Sequence, residues 1–205
     1  MENIAVICVG NRLMLDDGIG PAVFDELSEK YSFPEQVSLI DAGCMTMDLL
    51  PVVRDCDFLI VVDAIDGTGE APGTVFRFAP EEIADHPVMQ SLHDLRVIDL
   101  LNAAALLGYE AKGICFGIQV ENMSPAFVTE GLTPRVHDAL ALAVDAVLAE
   151  LVARGVSFDY ADGRPFVAPA ASTSLASVSR CAGRPSPEMG MCARETNCDD
   201  ADRTE

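Results

Sequence analysis

"IAVICVGNRLMLDDGIGPAV", residues 4–23, joins an apolar run, a glycine-punctuated turn with two adjacent aspartates, and the start of a second apolar pattern. Ile4–Val9 is continuously apolar, as expected of a short strand buried on both faces of a parallel sheet. Over residues 19–31 the spacing changes, and Ile19, Val23, Phe24 and Leu27 fall on one side of a helix. A strand therefore runs through a glycine turn into a helix, and the question becomes whether the unit repeats.

It does. Residues 37–41 ("VSLID") predict a second strand and residues 45–53 a helix with Met45, Leu49, Leu50 and Val53 on one face. Residues 58–63 ("FLIVVD") form the most strand-like run in the chain, and residues 74–78 ("TVFRF") alternate behind a turn. A long helix is predicted over 91–108, with Leu95, Ile98, Leu101 and Ala105 in line and Gly108 past its end. Residues 113–118 ("GICFGI") predict another strand, and 133–154 a final helix with Thr133 and Pro134 at its N-cap and N1 positions. Alternation of apolar strands with helices implies an α/β fold: one domain with a mostly parallel sheet covered on both faces. That domain is expected over residues 1–155. Residues 156–205 are expected to be a disordered C-terminal extension, since 161–205 lack periodicity and are rich in Ala, Ser, Pro, Gly and Arg.

The chain has 205 residues and a formal net charge of −20. Its first 155 residues hold 8 basic against 25 acidic residues, or −17 of that charge. Such a field disfavours nucleic acid and anionic membrane surfaces, and it suits metal ions or a basic peptide partner. No apolar run approaches the roughly 18 residues that a membrane span needs. The start "MENIAVICVG" has no basic n-region, so a secretory signal is not expected and a cytoplasmic location is. Seven cysteines without export signals argue against disulfides. Cys8, Cys44, Cys56 and Cys115 read as small buried hydrophobes, while Cys181, Cys192 and Cys198 fit no metal-binding spacing.

In an open parallel sheet, ligands bind beyond the carboxyl ends of the strands. Asp16 and Asp17 follow the first strand, Asp41 ends the second, and Asp63 ends the third. Glycine turns before helices ordinarily receive anions, but two carboxylates there would repel one. Each acid alone has a plain explanation as a cap or turn residue, and Asp16 suits that role before the first helix. Three strands ending in acids ask for more, and Asp63 leads into a loop rather than a helix. In "SLHDL", Ser91 and Asp94 form a capping-box pattern that places His93 in the first turn of the long helix. The helix dipole there favours neutral imidazole, which is the metal-binding form. Asp17, Asp63 and His93 thus form a candidate site for Zn, Ni or Fe, with Asp16 as an alternative to Asp17. His86 and His137 suit no such role. No G-x-S-x-G elbow is present, and Cys44 has no second histidine placed to activate it.

Five blocks, "GNRLMLDDGIG", "IDAG", "LIVVDAIDGTGEAPGTV", "SLHDL" and "GIQVEN...GLTPRV", run in this order from Asn3 to Leu151. Together they resemble the hydrogenase maturation endopeptidases, which process the large subunit of [NiFe] hydrogenases. The resemblance implies a phosphorylase/hydrolase-type domain with helices on both faces of a twisted sheet. It also implies a metal-binding trio that maps onto Asp17, Asp63 and His93, and a further cleft acid, Asp41, in a supporting role. In some relatives the first position is glutamate, one methylene longer than Asp17. The implied activity is removal of a short C-terminal peptide from the precursor. The nickel is expected to be that carried by the precursor, with another divalent metal as the alternative, and a monomer is expected. Asp41 or Asp16 is the carboxylate available to accept a proton. A nickel chaperone and a non-catalytic module binding a phosphate ligand are the competing readings.

Overall fold

A computed structural model of the chain describes residues 2–44, 47–79, 100, 102–109, 112–168 and 179–180. Its elements are β1 (Ile4–Val9), α1 (Ile19–Lys30), β2 (Tyr31–Ser32), β3 (Val37–Gly43), α2 (Leu50–Asp55), β4 (Phe58–Ile65), β5 (Val75–Phe78), β6 (Lys112–Gln119), α3 (Pro134–Ala153), β7 (Asp159–Tyr160) and β8 (Ser179–Arg180). The main sheet has the order β3-β1-β4-β6-β5-β8. The β1–β3, β1–β4, β4–β6 and β5–β8 pairs are parallel, and β5 runs antiparallel to β6. The fold is α/β with a mostly parallel sheet.

The strands that read as continuous apolar runs lie in the middle. Every residue of β1 and β4 is buried, whereas β3 at one edge is only partly so. Alternate side chains sort to two faces. Val6, Cys8, Ile60, Val62 and Phe116 pack under α1 and α3. Ile7, Val9, Leu59, Val61 and Ile65 pack against Val53 of α2 and against Leu100 and Ala104. The result is three layers with an apolar core on each side of the sheet.

Residues 102–106 are helical, within the long helix expected over 91–108. Gly108 ends this stretch at φ 81°, where its N–H donates to Ala105 O at 3.0 Å and Tyr109 N–H to Ala104 O at 2.9 Å. The helix expected over 45–53 is a short Met47–Leu49 turn followed by α2, with Pro51 in its first turn. His93 and the Ser91–Asp94 pattern lie outside the described residues, as do Cys181, Cys192 and Cys198.

The fold continues past residue 155, so the expected boundary there falls too early. Val156 and Phe158 are buried in the α1–α3 core. β7 pairs antiparallel with β2, and Phe166 N–H donates to Phe158 O at 3.0 Å. The two phenylalanine rings stack with centroids 4.6 Å apart, and Tyr31 meets both edge-on. Spaced aromatics without periodicity carry no strand or helix signal, although they bury area well. Within the rest of the expected disordered extension, Ser179–Arg180 pair with β5 as β8, and residues 169–178 and 181–205 lie outside the described ones.

Candidate active site

Strand order locates a crevice. From β1 the chain crosses through α1 to β3 on one side, then through α2 to β4 on the other side of β1. The carboxyl ends of β1 and β4 therefore flank a topological switch point, where open α/β sheets bind ligands. The Leu15–Gly18 turn after β1 packs against β4. Asp17 lies in that turn and Asp63 near the end of β4, and both are buried.

Asp17 Oδ2 accepts the Asn11 N–H at 3.0 Å, so the turn closes on itself. Two glycines let it sit tightly. A Cβ at Gly10, which has φ 143°, would meet Asp17 O at 2.0 Å. One at Gly20 would meet Val9 O at 2.0 Å, so the glycine lets α1 approach the end of β1. Both glycines are explained by backbone contact, without a phosphate. Asp63 Oδ1 accepts its neighbour Ala64 N–H at 2.8 Å. By alternation the Asp63 side chain belongs to the face of Leu59, Val61 and Ile65, which Leu100 and Ala104 also cover.

Asp16 has a different fate from its neighbour. It is fully buried, and its Oδ2 accepts Glu121 N–H at 3.1 Å, Asn122 N–H at 2.9 Å and the Thr133 hydroxyl at 3.0 Å. Its Oδ1 accepts Thr133 N–H at 2.6 Å. The expected cap of α1 is instead an anchor that joins the turn to the start of α3. This commitment engages both Asp16 carboxylate oxygens with the segment that leads into α3. Gly18 is the N-cap of α1, and no side chain caps it. Thr133 does hold the N-cap of α3, but its hydroxyl points to Asp16 rather than back to the helix.

Asp41, in β3 opposite Cys8, shares the parity of Val37 and Leu39 and so lies on the α1 side. Arg12 Nη2 donates to Asp41 Oδ2 at 2.7 Å and to Asp25 Oδ1 at 3.0 Å, and Arg12 Nη1 also pairs with Asp25. These hydrogen bonds hold the guanidinium pKa well above its ordinary value. Arg12 escaped the sequence reading, although a lone cation beside "LDDG" in so acidic a chain was a usable signal. Gln119 escaped it too. Buried at the end of β6, its Nε2 donates to Asp66 Oδ1 at 3.0 Å and Val120 O at 2.8 Å, and its Oε1 accepts Thr68 N–H at 3.1 Å. It fixes the loop after β4. Cys8 and Cys115 are buried as expected, while Cys44 and Cys56 are half-buried.

Among the described residues no three His, Cys, Asp or Glu side chains are gathered so as to hold a metal ion. His93, the nitrogen donor of the expected trio, lies outside them.

Known proteins provide an independent comparison. The family described as hydrogenase maturation protease matches residues 21–150. The Hydrogenase 2 maturation protease of Escherichia coli (strain K12) is 35% identical over 155 residues, covering 75% of this chain and 93% of its own. The hydrogenase expression/formation protein HoxM of Azotobacter vinelandii is 34% identical over 193 residues, covering 91% of this chain and 89% of its own. The solved structure of the hydrogenase maturating endopeptidase HybD from E. coli superposes with TM-score 0.70 at 32% identity, over 78% of this chain and 98% of that one. Family, relatives and fold agree, and the chain belongs to the hydrogenase maturation proteases, a family of endopeptidases.

Proposed function

We infer that this chain removes a short C-terminal peptide from the nickel-loaded precursor of a [NiFe] hydrogenase large subunit, acting as a monomer in the cytoplasm. One observation carries the reading: buried Asp17 and Asp63 flank the switch-point crevice between β1 and β4, while Asp16 is committed to hydrogen bonds elsewhere. Nickel here belongs to the substrate. Two carboxylates and one imidazole form a hard-to-borderline donor set suited to a divalent ion of that kind. Packing of Leu100 and Ala104 on the Asp63 face supports assigning His93, on the same expected helix, as the nitrogen donor. In this reading Asp17, Asp63 and His93 dock the precursor through its metal and so register the scissile bond at the rim. A divalent ion held there would polarise a carbonyl or a water. Asp41 supports the site indirectly: with Asp25 it holds Arg12 against the turn that carries Asp17.

The test mixes the purified chain with nickel-loaded and nickel-free precursor and weighs the products. A mass loss of one C-terminal peptide from the loaded sample alone is expected. Equal trimming of both samples would remove nickel from the reading, and nickel transfer without peptide release would replace proteolysis with a chaperone role.

A further inference from the structure

We propose that the loop over residues 121–133 is a docking surface for the polypeptide substrate, taking a segment in which apolar side chains are accompanied by basic ones. The proposal rests on the proteolytic reading above. Asp16 fastens both ends of this loop, accepting hydrogen bonds from Glu121 and Asn122 at one end and from Thr133 at the other. Met123 and Leu132 anchor its shoulders in the core. The far part is clipped to the turn that bears Asp17: Thr129 N–H donates to Leu13 O at 3.0 Å, and Leu15 N–H to Thr129 O at 2.7 Å. Leu15 sits at φ 54°, a costly conformation for a leucine that persists only when its surroundings enforce it.

This well-fastened scaffold presents apolar side chains to water. Phe127 is 83% exposed, Val128 71% and Leu13 46%, all on the two segments that the clip joins. They contribute little to the core, and grouped exposed apolar residues of this kind mark interaction sites. Charge selects the occupant. Exposed Glu121 and Glu130 bracket the apolar tip, and Arg12 beside Leu13 is already engaged by Asp25 and Asp41. The surface is therefore complementary to a cationic segment, in a chain whose net charge is −20. Leu13 is four residues from Asp17 in the same turn, so a segment lying on this surface is led to the crevice.

The test compares the native chain with the double variant Phe127→Ser/Val128→Ser, whose side chains are solvent-exposed, and with Glu121→Gln/Glu130→Gln. Nickel-loaded precursor is the substrate. The apolar variant is expected to raise KM about tenfold and leave kcat within about twofold, because uniform binding alone is lost. The charge variant is expected to raise KM at low salt, with a gap that closes as salt screens it. An unchanged KM in the apolar variant, or a lower kcat at constant KM, would overturn the proposal. So would self-association of the native chain that the apolar variant abolishes, which would make a second copy the occupant. If the native chain releases no peptide, the proteolytic reading fails on its own. Direct binding of the precursor then decides the docking surface: about tenfold weaker binding by the apolar variant upholds it, and equal binding overturns it.

Discussion

Asp16 and Asp17 are neighbours of the same residue type in one turn, yet Asp17 accepts from Asn11 within that turn while Asp16 reaches the segment before α3. Asp16 gathers four hydrogen bonds from residues more than a hundred positions away. Asp16→Asn brings an amide against those donors, and a loss of about 2–4 kcal/mol in urea unfolding is expected. Asp17→Asn is expected to stay within about 1 kcal/mol of the native chain in the same measurement while ending peptide release. The anchoring role of Asp16 has no sequence signal, because its partners become neighbours only after the sheet has formed. The Cys8 thiol supplies a pH dependence. Burial first, then Asp41 and Asp25, push its pKa far above the ordinary 9.0. Below that value the thiol is neutral in both folded and unfolded chains, and its contribution is fully present. As pH rises past it the unfolded chain ionises first, and stability falls by at most about 1.4 kcal/mol per pH unit. The stability advantage of the native chain over Cys8→Ala is therefore expected to shrink above pH 9, followed by urea midpoints.

At the scale of elements, β1 was legible to the residue and α1 to within one, because burial on both faces and burial on one stripe leave different periods. β2, β7 and β8 have two residues each, too few to show a period. The glycines of the first turn were visible, but their purpose was not. A phosphate cradle and a tight backbone crossing ask for the same residue; the adjacent aspartates speak against an anion, and the contacts of Gly10 and Gly20 show the crossing. Gly20→Ala provides a check with an unusual sign. Within an exposed helix the change stabilises by about 1 kcal/mol. Here the added carbon meets Val9 O, so net destabilisation and a shift of α1 away from β1 are expected by urea unfolding. A gain in stability would show that the crossing has slack.

For the whole molecule, the alternation of strands and helices disclosed the fold class, and the strand-end rule pointed to Asp17 and Asp63, which lie buried in the turn after β1 and near the end of β4. Strand order was hidden, since the crossover that puts β4 beside β1 is a tertiary choice, and so was the arginine that pairs with Asp41 on the α1 side. The end of the fold was hidden as well. Truncation after residue 155 removes Val156, Phe158 and Phe166 from their aromatic partners and is expected to cost more than about 3 kcal/mol, whereas truncation after residue 168 keeps them. A calorimetric scan of both chains checks this. Peptide release from nickel-loaded precursor, weighed for the native chain and for Asp17→Asn, Asp63→Asn and His93→Ala, probes the shared crevice itself. Native trimming and none by any of the three variants, each with its melting temperature retained, is the expected result. Native-rate trimming by any one of the three would show that the acids and the imidazole do not act as one site.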